Sequence, residues 1–322
     1  MITNKNEKLE QAFKLEPGER WLIAPEFTDE KHYIMRPTVK VDVKPESFTF
    51  RTELFAPLLA VAPYDTLEEA VALVNGLDYG LTSGLQSLDE QEQRYWKNHI
   101  MAGNLYINRG ITGAIVNRQP FGGMKLSAFG PGLKAGGPNY VAQFMTITDK
   151  TGSNTDYRTS YAEWYEKEFR HARNIQPKIR GEQNVFRYLP LVGGMVLRLF
   201  GDETKEQVEM VCLAAKTVGT PLTVSADDGN PLLDTARAQG AKTTKENLAA
   251  FCESIKRYER VRTISAEVPD VVFQAAANCD KYIAQALPVR NGRIELTHYI
   301  KEQSIANEYH RYGSQIEVPV VE

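Results

Sequence analysis

The sequence predicts an α/β protein, and two observations carry that reading. Short apolar runs rich in β-branched residues alternate with amphipathic stretches of helical period. From residue 195 onward the order strand, helix, strand, helix repeats, the pattern of a parallel sheet with crossover helices. A length of 322 residues allows two cores, and the polar run "DKTGSNTD" is the strongest boundary signal. The expected domains are therefore 1–150 and 151–322.

In the first part "RPTVKVDV" and "LLAVAPY" read as short buried strands. "TLEEAVALVNGL" reads as a helix with Thr66 at its N-cap and Glu69 three positions on, a capping box. "LTSGLQS" reads as the next strand, "SLDEQEQRYWKNHI" as a helix that Ser87 is placed to cap, and "GNLYINR" as a further strand. That strand delivers the chain into residues 110–140, which hold eight of the 23 glycines. Such a density points to close approach of a ligand to the backbone or to a sharply turning path.

In the second part "MVLRLF" precedes a helix at 203–218, "LTVSA" one at 244–258, and "VRTISA" one at 268–278, with "YIAQAL" as the last strand. No G-x-G-x-x-G follows any of these strands, and the paired glycines of "LVGGMV" precede a strand instead of following one. The expectation is a Rossmann-like sheet without the dinucleotide fingerprint.

A net charge of −3, with no run of lysine and arginine, argues against a nucleic-acid surface. The longest apolar runs are too short and proline-broken to span a bilayer, and "MITNKNEKLEQ" lacks the apolar core of a signal peptide, so the cytoplasm is the expected compartment. Three scattered cysteines give neither a disulfide framework nor a zinc spacing. Each lies on an apolar helical stripe: Cys212 with Val208, Val211 and Ala215, Cys252 with Leu248, Phe251 and Ile255, and Cys279 with Val272, Ala275 and Ala276. A thiol so placed is a small buried hydrophobe and not a nucleophile. The five histidines show no ligand spacing, and no metal site is expected.

Three stretches resemble the aldehyde dehydrogenase superfamily. "TELFAPLLAVAPYDTLEEAVALVNGLDYGLTSGLQS" is similar to the latter part of its catalytic fold. "GNLYINRGITGAIVNRQPFGGMKLSAFGPGLKAGGPNY" resembles the branch that oxidises L-glutamate γ-semialdehyde, the open form of Δ1-pyrroline-5-carboxylate. "YIKEQSIANEYHRYG", at 299–313, resembles the C-terminal motif of long, often bifunctional, proline-catabolic enzymes. The resemblance implies the C-terminal part of the aldehyde dehydrogenase catalytic fold over 1–150, followed by a degenerate copy of that fold over 151–322 which buries surface against the catalytic domain.

By position, the resemblance assigns Glu53 to the nicotinamide ribose and Phe55 to the nicotinamide ring of NAD. Ala56 stands where the family has glycine, so a methyl group falls on a turn. Gly113 and Ala114 match the loop whose backbone N–H groups anchor the substrate carboxylate, and Phe121 matches an aromatic wall of the aldehyde pocket. The family's nucleophilic cysteine, its glutamate base and its nucleotide-binding domain precede the matching segment, so the chain by itself is expected to be inactive and no catalytic residue is assigned. The implied partners are a small aldehyde, the remainder of the dehydrogenase, or a second copy of the chain. "YVAQFMTITDK" matches a strand that the family uses in subunit association. The competing reading is a noncatalytic assembly or lid module that completes a partner dehydrogenase.

Overall fold

The computed structural model describes residues 7–112, 118–175 and 179–309. The chain forms two compact units, one of residues up to Leu77 together with Asn98–Ile100, the other of Asp78–Lys97 and the chain from Met101 on.

The first unit begins with α1 (Glu7–Ala12) and β1 (Arg20–Ile23), followed by β2 (Thr38–Val41), α2 (Phe48–Arg51), β3 (Leu58–Val61) and α3 (Leu67–Asn75). β2 pairs antiparallel with β1 and parallel with β3. "RPTVKVDV" and "LLAVAPY" thus become strands as expected, while β1, only four residues long, had no distinguishing period. Thr66 caps α3 by accepting from Glu69 N at 3.2 Å, and the Glu69 carboxylate turns back to Asp65 N at 2.8 Å. Leu9 and Met35 form a small core with Phe13, Phe27, Ala56 and Leu58. Beneath it, Lys40 is fully buried, its ammonium donating to Glu19 Oε2 (3.0 Å), Thr49 Oγ1 (3.0 Å) and Lys14 O (2.8 Å).

The second unit opens with β4 (Tyr79–Gly80), β5 (Thr82–Leu85), α4 (Glu90–His99, whose last two residues count with the first unit), β6 (Asn104–Ile107) and β7 (Met124–Lys125). The cap of α4 is Asp89, whose carboxylate accepts from Gln91 N and Glu92 N, and not Ser87. Ser87 lies two residues earlier, accepting from Asp89 N and donating to Glu92 Oε2, so it braces the cap. Tyr140–Phe144 forms a turn of 3-10 helix in this chain where the resemblance implied a strand.

Beyond the boundary signal come α5 (Tyr157–Trp164), β8 (Arg173–Asn174), β9 (Glu182–Pro190), β10 (Met195–Arg198), α6 (Lys205–Val218), β11 (Leu222–Ala226), α7 (Leu232–Ala238), β12 (Lys242–Lys245), α8 (Leu248–Ser254), β13 (Arg260–Thr263), α9 (Asp270–Asn278), β14 (Tyr282–Gln285), α10 (Gly292–Glu295) and β15 (Ile300–Glu308). Five of these strands form a wholly parallel sheet in the order β12-β11-β10-β13-β14. That is the doubly wound arrangement with its switch point between β10 and β13. The fold class matches the expectation, and one complete unit, α7 with β12, was absent from it. The span 244–258 is not one helix. Its first residues end β12, Asn247 caps α8 by accepting from Ala250 N, and Ile255–Arg257 is a 3-10 turn.

Met195, Val196 and Leu197 on β10 are fully buried, as are Val208, Val211 and Ala214 on α6. Burial of each large aliphatic side chain contributes about 1.5–3 kcal/mol, which makes this sheet the main core. A second sheet has the order β5-β6-β15-β9-β8. Its central strand, β15, runs parallel to β6 and antiparallel to β9, so this sheet joins strands from both sides of residue 150.

Candidate functional site

Residues 52–56 form an elbow between α2 and β3. α2 is fixed from below by the Lys40 to Thr49 hydrogen bond and from one end by Phe48 N, which donates to Glu16 Oε1 at 2.9 Å. On the other side β3 is fixed by Thr38 N, which donates to Pro57 O at 2.9 Å. The chain between these anchors projects outward: Glu53 is exposed, and the Phe55 ring is 88% exposed. Phe55 has φ +51°, a left-handed conformation that costs a bulky residue on the order of 1 kcal/mol or more. Ala56 has no positive φ, so its methyl group is accommodated and the turn needs no glycine there. The strain falls instead on the residue before it.

Glu53 and Phe55 line one cavity of about 960 Å³ with Asp29, Tyr33, Met35 and Thr49. Asp29 shapes its rim, its carboxylate accepting from Ile34 N at 2.8 Å and Tyr33 N at 3.1 Å, bonds that hold its pKa below the usual carboxylate range. The structure therefore brings the two residues assigned to NAD together beside one cavity. A free carboxylate is an acceptor for vicinal hydroxyls, and an open aromatic face suits a flat heteroaromatic ring, so the residues fit the nicotinamide end of such a cofactor.

Phe121 belongs to the other unit, where it bridges to Ala135 through reciprocal backbone bonds of 3.0 and 2.9 Å. Gly113 and Ala114 lie outside the described residues. The glycines around Phe121 are explained by close approach: a Cβ on Gly103 would sit 2.0 Å from Gly122 O, and one on Gly137 would sit 2.9 Å from Lys134 O. Lys134 is the hub of this packing and was not read from the sequence. It is fully buried, and its ammonium donates to Asn104 Oδ1 at 3.2 Å and to Gly122 O. Burial pushes its pKa down to about 7, against the opposing charge of Glu302. Burial also raises the Glu302 pKa, and hydrogen bonds from Lys134 N and Asn139 oppose that rise.

The place where a doubly wound sheet usually binds an anion is already filled by its own side chains. Glu203 accepts from Phe200 N (2.7 Å) and Gly201 N (2.8 Å) after β10, and Asp202 accepts from Ala266 N (3.0 Å) after β13. The backbone donors at the switch point thus hold carboxylates of the chain itself. None of the cysteines is set up as a nucleophile. Burial raises all three thiols, that of Cys212 to about 12. Among the described residues no cluster of His, Cys, Asp and Glu could hold a metal ion, and no helix is long and apolar enough to cross a membrane.

Residues 4–149 match the aldehyde dehydrogenase family, and this part of the chain is an aldehyde dehydrogenase family domain. Within that family the similarity is to 1-pyrroline-5-carboxylate dehydrogenases. The protein of that name from Bacillus pumilus (strain SAFR-032) is 40% identical over 117 residues, 36% of this chain and 22% of that one. The one from Bacillus thuringiensis (strain Al Hakam) is 38% identical over 136 residues, 42% of this chain and 26% of that one. The solved structure of Proline Utilization A (PutA) from Corynebacterium freiburgense superposes with a TM-score of 0.79 at 33% identity, covering 97% of this chain. The chain spans only 22% and 26% of the two Bacillus proteins and 31% of the PutA chain.

Proposed function

We propose that the chain is the C-terminal portion of an NAD-dependent dehydrogenase that oxidises L-glutamate γ-semialdehyde to glutamate in proline catabolism, in the cytoplasm, and that it does not turn over alone. The observation that supports this reading is the elbow at 52–56, which presents Glu53 and Phe55 over a cavity from anchors on both sides. In the complete enzyme Glu53 accepts from the nicotinamide ribose and Phe55 packs on the ring, fixing the face it offers. NAD supplies the hydride acceptor when bound. Phe121 forms part of the wall of the aldehyde pocket, and Gly113 and Ala114 supply backbone donors to the substrate carboxylate. Residues 1–150 carry these contacts, and 151–322 serve assembly and closure of the pocket.

A second reading, a noncatalytic module that completes a partner dehydrogenase, draws on the first unit's sheet. Ile23 pairs with Val39, Val39 with Leu59 and Val41 with Val61, and Ile23, Leu59 and Val61 are exposed. An apolar sheet face of this kind is suited to burial against another segment. Translating the DNA upstream of the Met1 codon separates the two. A reading frame encoding a cysteine-bearing dehydrogenase segment supports the first reading, and unrelated sequence or a promoter contradicts it.

A further inference from the structure

We propose that Glu302 and Ser304, on the central strand β15, are positioning residues that set the path of the glycine-rich segment 119–139 and thereby the placement of Phe121. The proposal rests on the reading of Phe121 as a pocket wall and names what holds it. Alternation along β15 turns these two side chains to one face of the sheet and Gln303 to the other. Glu302 Oε2 accepts from Lys134 N at 2.7 Å, and its Oε1 accepts from Asn139 Nδ2 at 2.7 Å. Ser304 Oγ donates to Pro120 O at 2.6 Å, one residue before Phe121. Both arms of the segment are therefore tied to a single strand that enters the fold more than 160 positions later.

Three further observations show that the arrangement is built for this. Glu302 and Ser304 are 1% and 0% exposed, so both are withheld from water and depend on these partners. Asn139 also donates to Tyr188 OH at 3.0 Å, which ties the same point to β9 on the other side of β15. Gln303, facing away, bonds Ala102 O and Arg187 and so secures the strand without touching the segment.

Hydrogen exchange on the purified chain tests the proposal without substrate or cofactor, so its outcome is independent of the functional reading. Glu302→Ala is expected to raise amide exchange in 119–122 and 134–139 about tenfold while the 195–285 sheet stays protected. Glu302→Gln, which keeps the shape and one acceptor, should restore part of that protection. Ser304→Ala should act on 119–122 and spare 134–139. Unchanged exchange in 119–139 for Glu302→Ala would overturn the proposal. So would an increase spread equally over the 195–285 sheet, or a Glu302→Gln variant no better protected than the alanine.

Discussion

Lys134 N and Glu302 Oε2 stand 2.7 Å apart although 168 positions separate them in the chain, and each side chain is withdrawn from water. The consequence is electrostatic as well as structural. A lysine buried with its pKa lowered to about 7 costs the fold stability whenever it must carry its proton inside.

The sign of the pH dependence follows. Below about pH 7 both folded and unfolded chains hold the Lys134 proton, and above 10.5 neither does. In between the unfolded chain binds more protons, so stability rises with pH, by at most ~1.4 kcal/mol per pH unit for one group. Urea unfolding of wild type and Lys134→Met across this window should show wild type gaining on the variant as pH rises. A constant difference would contradict the burial of a charged lysine.

Lys40 and Glu19 form a second buried pair, both side chains fully enclosed and 3.0 Å apart. Glu19→Gln leaves the Lys40 ammonium without its counter-charge, and the expected loss is on the order of 3 kcal/mol. Trp21, whose ring lies 5.2 Å from the Lys40 ammonium, provides a local fluorescence signal for the transition. A loss under about 0.5 kcal/mol, typical of a surface change, would show that the pair is solvated.

Phe55 separates strain from packing. Glycine accepts φ +51° freely, and the ring is 88% exposed, so Phe55→Gly should change stability by less than about 1 kcal/mol in either direction. Truncating the fully buried Phe251 to Ala should cost about 3–5 kcal/mol by comparison. In the assembled dehydrogenase the same Phe55 variant should raise KM for NAD about three- to tenfold, the worth of one ring contact. Unchanged KM would remove Phe55 from the cofactor site.

The buried Cys212 thiol should be inert in the folded chain, whereas Cys252 and Cys279 are only partly buried. Cys212, pushed up to about 12 by burial, carries almost no thiolate at neutral pH. Mass spectrometry after alkylation should find Cys212 unmodified until denaturant is added. Rapid labelling of the native chain would contradict its place in the core.

The sequence reveals most where side-chain period and burial agree. "MVLRLF", "LTVSA", "VRTISA" and "YIAQAL" became adjacent parallel strands because their apolar runs are buried on both faces. Thr66 was recognisable as a cap, but Ser87 misled because Asp89, two residues on, competes for the same amide groups. β12, "KTTK", carries no apolar residue and sits at a sheet edge, so nothing in its composition marks a strand. β15 hid for the opposite reason: Glu302, Gln303 and Ser304 look like surface residues, and their burial depends on partners 168 to 201 positions away. Around the candidate site, the glycine density pointed to close packing. Lys134, against which Gly122 and Gly137 pack, stands out only when the fold shows what surrounds its ammonium.

The proposed function, in which this chain supplies one side of a dehydrogenase site and another segment supplies the catalytic groups, is tested most directly by NADH formation from NAD and L-glutamate γ-semialdehyde. The rate is measured for the purified chain alone and for the chain joined to a dehydrogenase segment that carries a nucleotide-binding domain and a nucleophilic cysteine. No rate above the uncatalysed background for the chain alone, and turnover by the joined protein, is the predicted result. Steady turnover by the chain alone, or none by the joined protein, would contradict it.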